Sequence, residues 1–145
     1  MHTGDFAALI ELMEGGIPFH RFLGLKVESL SFGHVVLRLP FREEFLGDVR
    51  RPALHGGIIS TLIDTAGGLA AWSHFSIQDK LATVDMRVDY LLPGPKDDIM
   101  AEARVRRLGN RMAVTHTLLT PAGDREAIIA EGRAVYNIRR ATPTG

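Results

Sequence analysis

The chain has 145 residues, 46% of them hydrophobic and 23% charged, which is enough for one domain with its own core and too few for two. Seventeen basic residues (Lys+Arg 17) balance seventeen acidic ones (Asp+Glu 17), so the basic excess of a general nucleic-acid or membrane-surface binder is absent. There is no cysteine, which excludes disulfides, thiolate nucleophiles and Cys-based zinc sites and fits a cytoplasmic protein.

The first residues, Met1 to Phe6, show no basic region followed by an apolar stretch, so no signal peptide is expected. A short amphipathic helix is predicted over about 5–14, with Phe6, Leu9, Ile10 and Met13 on one face and Gly15-Gly16 ending it. Ile17 to Phe22 reads as a turn or one loose helical turn. Two strands follow, Gly24 to Phe32 and a clearer one carrying Val35, Leu37, Leu39 and Phe41 at a period of two. Arg42 to Leu54 is a charged loop that delivers the chain to His55. The next stretch, about 56–75, is apolar nearly all round and reads as an enclosed helix. Its glycines, Asp64 and His74 argue for a core helix and against a membrane span.

Four strand-length segments close the chain. Ala82 to Leu91 sets Val84, Met86, Val88 and Tyr90 against Thr83, Asp85, Arg87 and Asp89. Ile99 to Arg107, Arg111 to Thr120 and about Glu126 to Ile138 follow, joined by short turns that make them consecutive antiparallel hairpins. The tail, 139–145, is expected to fray. Each strand has one apolar and one charged face, so the sheet buries one side, and the helix is the object for it to cover. The expectation is a single α+β domain over 1–145, a curved antiparallel sheet wrapped around one long central helix.

Within that helix Gly57, Ser60, Asp64, Gly67, Gly68 and Ala71 share one face at 3.6 residues per turn. All but Asp64 are small, and a buried acid costs free energy unless something uses or satisfies it. Interior glycines each cost about 1 kcal/mol relative to alanine, so Gly67-Gly68 needs a return, either close packing or the approach of a slim ligand. Gly56 and Gly57 clear the free N–H groups at the helix start. That allows an oxyanion hole, or simply a sharp turn into the helix. Gly57 and Asp64 lie seven residues apart, roughly 10 Å along the helix, and cannot touch one reacting atom from a single copy. If both act on one carbonyl, a two-fold dimer must bring the helix start of one chain to the acid of the other.

The stretch Leu54-His55-Gly56-Gly57, with Asp64 nine residues after the histidine, resembles the hotdog-fold acyl-CoA thioesterases of the phenylacetic-acid-degradation type. Thr83-Val84-Asp85-Met86, Tyr90-Leu91-Leu92-Pro93, the Gly109 turn and Ala130-Glu131-Gly132 are similar in the same order, over about 18–138. The resemblance implies a homodimer, commonly a homotetramer, that hydrolyses an acyl-CoA, with no cofactor beyond the coenzyme A of the substrate. It makes Asp64 the general base or nucleophile, Gly57 the oxyanion N–H and His55 the motif histidine beside it. Thr83 matches a residue that helps position water. Gly56, Ser60 and Gly68 would line the substrate. Many members carry an Asn shortly before the motif histidine, where this chain has Asp48 and Val49. A carboxylate donates no hydrogen bond unless protonated, so that role is absent or Asp48 points away.

Two other readings stand beside hydrolysis: a hotdog enoyl-CoA hydratase, and a module that binds or senses acyl-CoA without turnover. Simple binding of an acyl chain gains nothing from a buried acid. His55 is read chiefly as structural, its ring bonding a loop carbonyl. His2, His20, His34, His74 and His116 show no metal-ligand spacing with the acids, and no metal is expected. Arg104, Arg106, Arg107 and Arg111 cluster around one turn, where Arg107 or Arg111 suits the coenzyme A phosphates and the others suit strand pairs with Asp85, Asp89, Glu102 or Glu131. Phe41, Phe45, Leu46, Trp72 and Phe75 are the candidates for setting pocket depth.

Overall fold

The alternating pattern in the second half of the chain is realised as long antiparallel strands. They are seen in a computed structural model, which describes residues 5–142. The main sheet has six strands: β1 (Lys26–Ser31), β2 (His34–Leu39), β5 (Lys80–Tyr90), β6 (Ile99–Leu108), β7 (Met112–Pro121) and β8 (Ala130–Arg139). A two-residue turn with Gly33 at φ +70° joins β1 to β2, a conformation that costs glycine nothing. The strand order is β1-β2-β6-β7-β8-β5, all neighbours antiparallel, and β6, β7 and β8 form the consecutive hairpins expected. β5 pairs only with β8 and forms one edge of the sheet.

The central helix α3 (Gly56–Trp72) packs across β2, β5, β6, β7 and β8. Leu62, Ile63, Ala66, Leu69 and Ala70 are fully buried against Val35, Leu37, Ile99, Ala101, Ala103 and Leu119 of the sheet. Two glycines set how closely helix and sheet meet. A Cβ on Gly67 would lie 2.5 Å from Thr115 Oγ1 and 2.6 Å from the Tyr136 hydroxyl, and one on Gly132 would overlap the Ile63 side chain. Gly67 is therefore spent on close packing.

The helix ends at Trp72, three residues earlier than its apolar run. The Ser73 hydroxyl donates to the Ala70 carbonyl (2.7 Å) and accepts from Gly33 N–H (2.7 Å), so the chain is tied to the β1–β2 turn there. His74 and Phe75 continue as tight three-residue turns, their N–H groups reaching Ala71 and Trp72. The tail is also better held than expected. Arg139 belongs to β8, and Ala141 N–H donates to Asp79 Oδ1 at 2.8 Å. Met1–Gly4 and the end of the tail, 143–145, lie outside the described residues.

The N-terminal helix is α1 (Asp5–Glu11), continued by a single π turn (Leu12–Gly16). Where a loose turn was expected, α2 (Pro18–Leu23) forms a short helix, with Pro18 at its start and Gly24 at φ +76° ending it. The Arg42–Leu54 loop folds as a 3-10 turn (Glu43–Phe45) and a small hairpin of β3 (Leu46–Asp48) and β4 (Ala53–Leu54).

β5 departs from its sequence pattern. Thr83 pairs with Tyr136 and Asp85 with Val135, so Val84 is an extra residue in a β-bulge and stands 58% exposed. The bulge shifts the alternation by one, and Thr83 joins Met86 and Val88 on the helix side of the sheet.

Candidate functional site

His55 caps α3. Its ring Nδ1 accepts the Gly57 N–H at 2.8 Å, which fixes the neutral ring with its hydrogen on Nε2. The next two N–H groups, of Ile58 and Ile59, turn back to the His55 carbonyl at 2.9 and 3.4 Å. The ring thus bonds a backbone N–H rather than a loop carbonyl, and Gly57, the expected oxyanion donor, is already engaged. Among the first four N–H groups of the helix only that of Gly56 meets no partner in the described residues. Gly47 lets the small hairpin lie against His55, since a Cβ there would fall 2.8 Å from His55 Cα.

The other candidates near the helix start serve local structure. The Ser60 and Thr61 hydroxyls both donate to the Gly57 carbonyl, at 3.1 and 2.7 Å. Asp48 accepts the N–H groups of Arg50 (2.9 Å) and Arg51 (3.4 Å), which hold its carboxylate below its usual pKa. It is a turn-forming carboxylate and offers no donor. Beside Gly56 lies a cleft of about 360 Å³ walled by Leu54, Ile59, Tyr90, Leu91 and Leu92.

Asp64 sits two turns further along, half-buried in the single chain rather than enclosed. Its Oδ1 accepts the Thr83 hydroxyl at 2.7 Å, a bond that exists because the bulge turns Thr83 inward. The Tyr136 hydroxyl donates to the Asp64 backbone carbonyl at 2.7 Å. Burial, and then the charge of Asp64, push that phenol well above its usual pKa, so it stays a neutral donor. A cavity of about 140 Å³ opens on the carboxylate. Gly68, Leu69, Trp72, Leu81, Thr83 and Tyr136 line one side of it, and Met13, Ile17 and His20 from the N-terminal segment close the other.

His20 is the residue that the sequence reading passed over. Its Nδ1–H donates to the Met13 carbonyl (3.1 Å), and burial draws its pKa below the usual histidine range, with Asp64 pulling the other way. Pro18 is a helix-start signal that could have marked α2 as an element.

The cleft at Gly56 and the cavity at Asp64 share no lining residue, as the spacing along the helix requires. Arg111 lines a third depression, of about 460 Å³, with Asn110, Asn137, Arg139 and Arg140. Arg140 lies 4.6 Å over the Phe75 ring. Arg107 follows a bulge in β6 and does not enter that depression. Arg104 meets Glu102 (3.6 Å) and Arg87 meets Asp89 (3.3 Å) on the sheet exterior, but each pair lies two residues apart on one strand, not across two strands as expected. Of the five residues expected to set pocket depth only Trp72 reaches the Asp64 cavity; Phe45 and Phe75 are core. Among the described residues no three His, Asp or Glu side chains gather as metal ligands, and no helix is long and apolar enough to cross a membrane.

Comparison with known proteins bears on this geometry. The profile of the thioesterase superfamily matches residues 52–128, which include His55, Gly56, Asp64 and Thr83. A protein of Halobacterium salinarum with a provisional esterase name is 38% identical, the match covering 94% of each chain. The medium/long-chain acyl-CoA thioesterase YigI of Salmonella typhimurium is 30% identical over 84% of this chain and 86% of its own. Among solved structures, a Shewanella oneidensis protein related to the thioesterase superfamily superposes with a TM-score of 0.84 at 30% identity, covering 92% of this chain and 95% of that one. A thioesterase family protein of Silicibacter pomeroyi gives 0.83 at 25% identity, over 93% and 98%. The curved sheet around one helix is the hotdog fold expected from the sequence.

Proposed function

The chain belongs to the thioesterase superfamily, and from that premise we propose that it hydrolyses acyl-CoA thioesters in a site shared between two copies. The observation that carries the reading is the Asp64–Thr83 pair facing a mostly apolar cavity. Asp64 is the general base. Thr83 holds one carboxylate oxygen and leaves the other to take a proton from water.

The developing oxyanion needs fixed donors, and Gly56 N–H is the group that the helix start leaves open. Gly57 N–H serves only if the His55 ring turns away from it. Because Gly56 and Asp64 face separate recesses of one chain, the complete site requires a second copy. The free edge of β5, with exposed Val84, Tyr90, Leu91 and Leu92, is the surface offered to it. A homodimer, paired again into a tetramer, is the assembly this reading calls for. Within the superfamily the His-Gly-Gly and Asp spacing favours the phenylacetic-acid-degradation type. The YigI relatives favour a medium or long acyl chain. Arg111, with Arg139 and Arg140, is the basic group suited to the coenzyme A phosphates.

The test is release of free coenzyme A from short, medium, long and aryl acyl-CoAs by the natural chain and by Asp64→Asn. Turnover that falls at least about a hundredfold in the variant is expected. Full turnover by Asp64→Asn, or none by the natural chain on any substrate, would sink the reading.

A further inference from the structure

Asp64 is not the only titratable group in its cavity. His20 faces it from α2, a part of the chain outside the 52–128 match to the superfamily. We propose that His20 is a positioning residue for the reaction at Asp64, its Nε2 accepting one hydrogen of the water whose other proton Asp64 removes. The inference rests on the hydrolase reading above and goes beyond it.

The geometry has three parts. The Met13 carbonyl can only accept, so the ring nitrogen bonded to it, Nδ1, carries the hydrogen, and a neutral ring keeps a lone pair on Nε2. No described group of the chain bonds that nitrogen, which is the remaining polar atom of a ring lining the cavity. The cavity, at about 140 Å³, has room for water, whose share of liquid volume is about 30 Å³. Asp64 on α3, Thr83 on β5 and His20 on α2 therefore surround one small space from three elements.

A water there needs more than a base. Asp64 alone leaves it free to rotate, and an acceptor for its second hydrogen aims the oxygen lone pair. In the step itself Asp64 takes one proton as the oxygen bonds the acyl carbon. The carbon–sulfur bond then breaks, the thiolate leaves with the proton held by Asp64, and the other hydrogen stays on the product acid.

The surroundings keep His20 in the form this requires. Glu14, on the π turn packed against α2, is turned to the Val27 N–H (2.8 Å), and Arg21 on α2 itself donates to the Gly15 carbonyl. From β8 the neutral Tyr136 lines the cavity, and from β5 the untitratable Thr83. Among the described residues Asp64 is then the one charged group that lines the cavity across from His20, and burial favours the neutral imidazole. Below its pKa the ring protonates, Nε2 stops accepting, and the imidazolium pairs with Asp64 instead. The rate should fall as pH falls.

His20→Asn and His20→Gln separate this role from a structural one. Asn reaches the Nδ1 position and can keep the Met13 bond while removing the acceptor; Gln reaches the Nε2 position and can replace the acceptor while losing the Met13 bond. Expected for His20→Asn is a drop in kcat of about tenfold with KM within about twofold, thermal stability close to the natural chain, and loss of the upper acid limb of the kcat–pH profile. Partial recovery of kcat is expected in His20→Gln. The proposal is overturned if His20→Asn keeps kcat and the same acid limb while Asp64→Asn is dead, which leaves the hydrolase reading intact. It is also overturned if both variants lose activity only in step with lost stability. Absence of turnover in the natural chain overturns both readings together.

Discussion

At the scale of single residues, the His55 ring engages the Gly57 N–H that the sequence marked as an oxyanion donor, and the Gly56 N–H meets no partner among the described residues. His55 is a side-chain cap, and capping residues replaced by alanine typically cost about 1 kcal/mol. His55→Ala should therefore lower the unfolding free energy by that amount, seen as a lower urea midpoint with an unchanged slope, and His55→Asn should restore most of it. The same substitution frees Gly57 N–H, so the ratio of activities in the Ala and Asn variants reports whether a second free donor helps or harms. The resemblance named Thr83, but its strand pattern placed it on the face away from Asp64, and its hydroxyl's bond to the acid is visible only in three dimensions.

At the scale of elements, α3 can rest on the sheet because glycine occupies Gly67 on the helix and Gly132 on β8. Overpacking a tight core costs typically about 1–3 kcal/mol. Gly132→Ala should lose stability in that range by thermal unfolding, because the added methyl meets Ile63 and cannot pass the Arg87 carbonyl. Gly15→Ala is the control: nothing lies within 4 Å of its would-be Cβ, and its stability should be unchanged or slightly higher. The bulge at Val84 belongs to this scale too. One extra residue lets β5 carry Met86 and Val88 into the core while turning Thr83 towards the acid.

At the scale of the molecule, the cleft at Gly56 and the cavity at Asp64 lie about 12 Å apart along the helix of one chain, and the β5 edge of the sheet pairs with no further strand among the described residues. Two inactive variants, Asp64→Asn and Gly56→Val, should restore activity when unfolded and refolded together. Each mixed dimer then has one intact acid facing one intact helix start. Random pairing of a two-fold dimer predicts recovery of about a quarter of the natural activity. No recovery, with mixed dimers shown to form, would place the whole site within one chain. Val84→Lys with Leu91→Lys, on the exposed edge, should shift sedimentation towards the monomer and remove hydrolysis in the same proportion.

The sequence by itself determined the architecture. A helix apolar all round and strands apolar on one side have one economical arrangement, and the short turns after Arg107 and Thr120 set three strands as neighbours. It also marked Asp64 and the glycine-opened helix start as candidates for the site, because both run against the local rule for a buried helix. What it left open depends on distance rather than on pattern. Period-two alternation has no mark for a bulge, so the face of Thr83 was misread. A cap forms between side chain and backbone, so the engagement of Gly57 by His55 could not be read from spacing. His20 lies 44 residues before Asp64 on a helix too short for strong periodicity, and only the tertiary fold brings the two to one cavity.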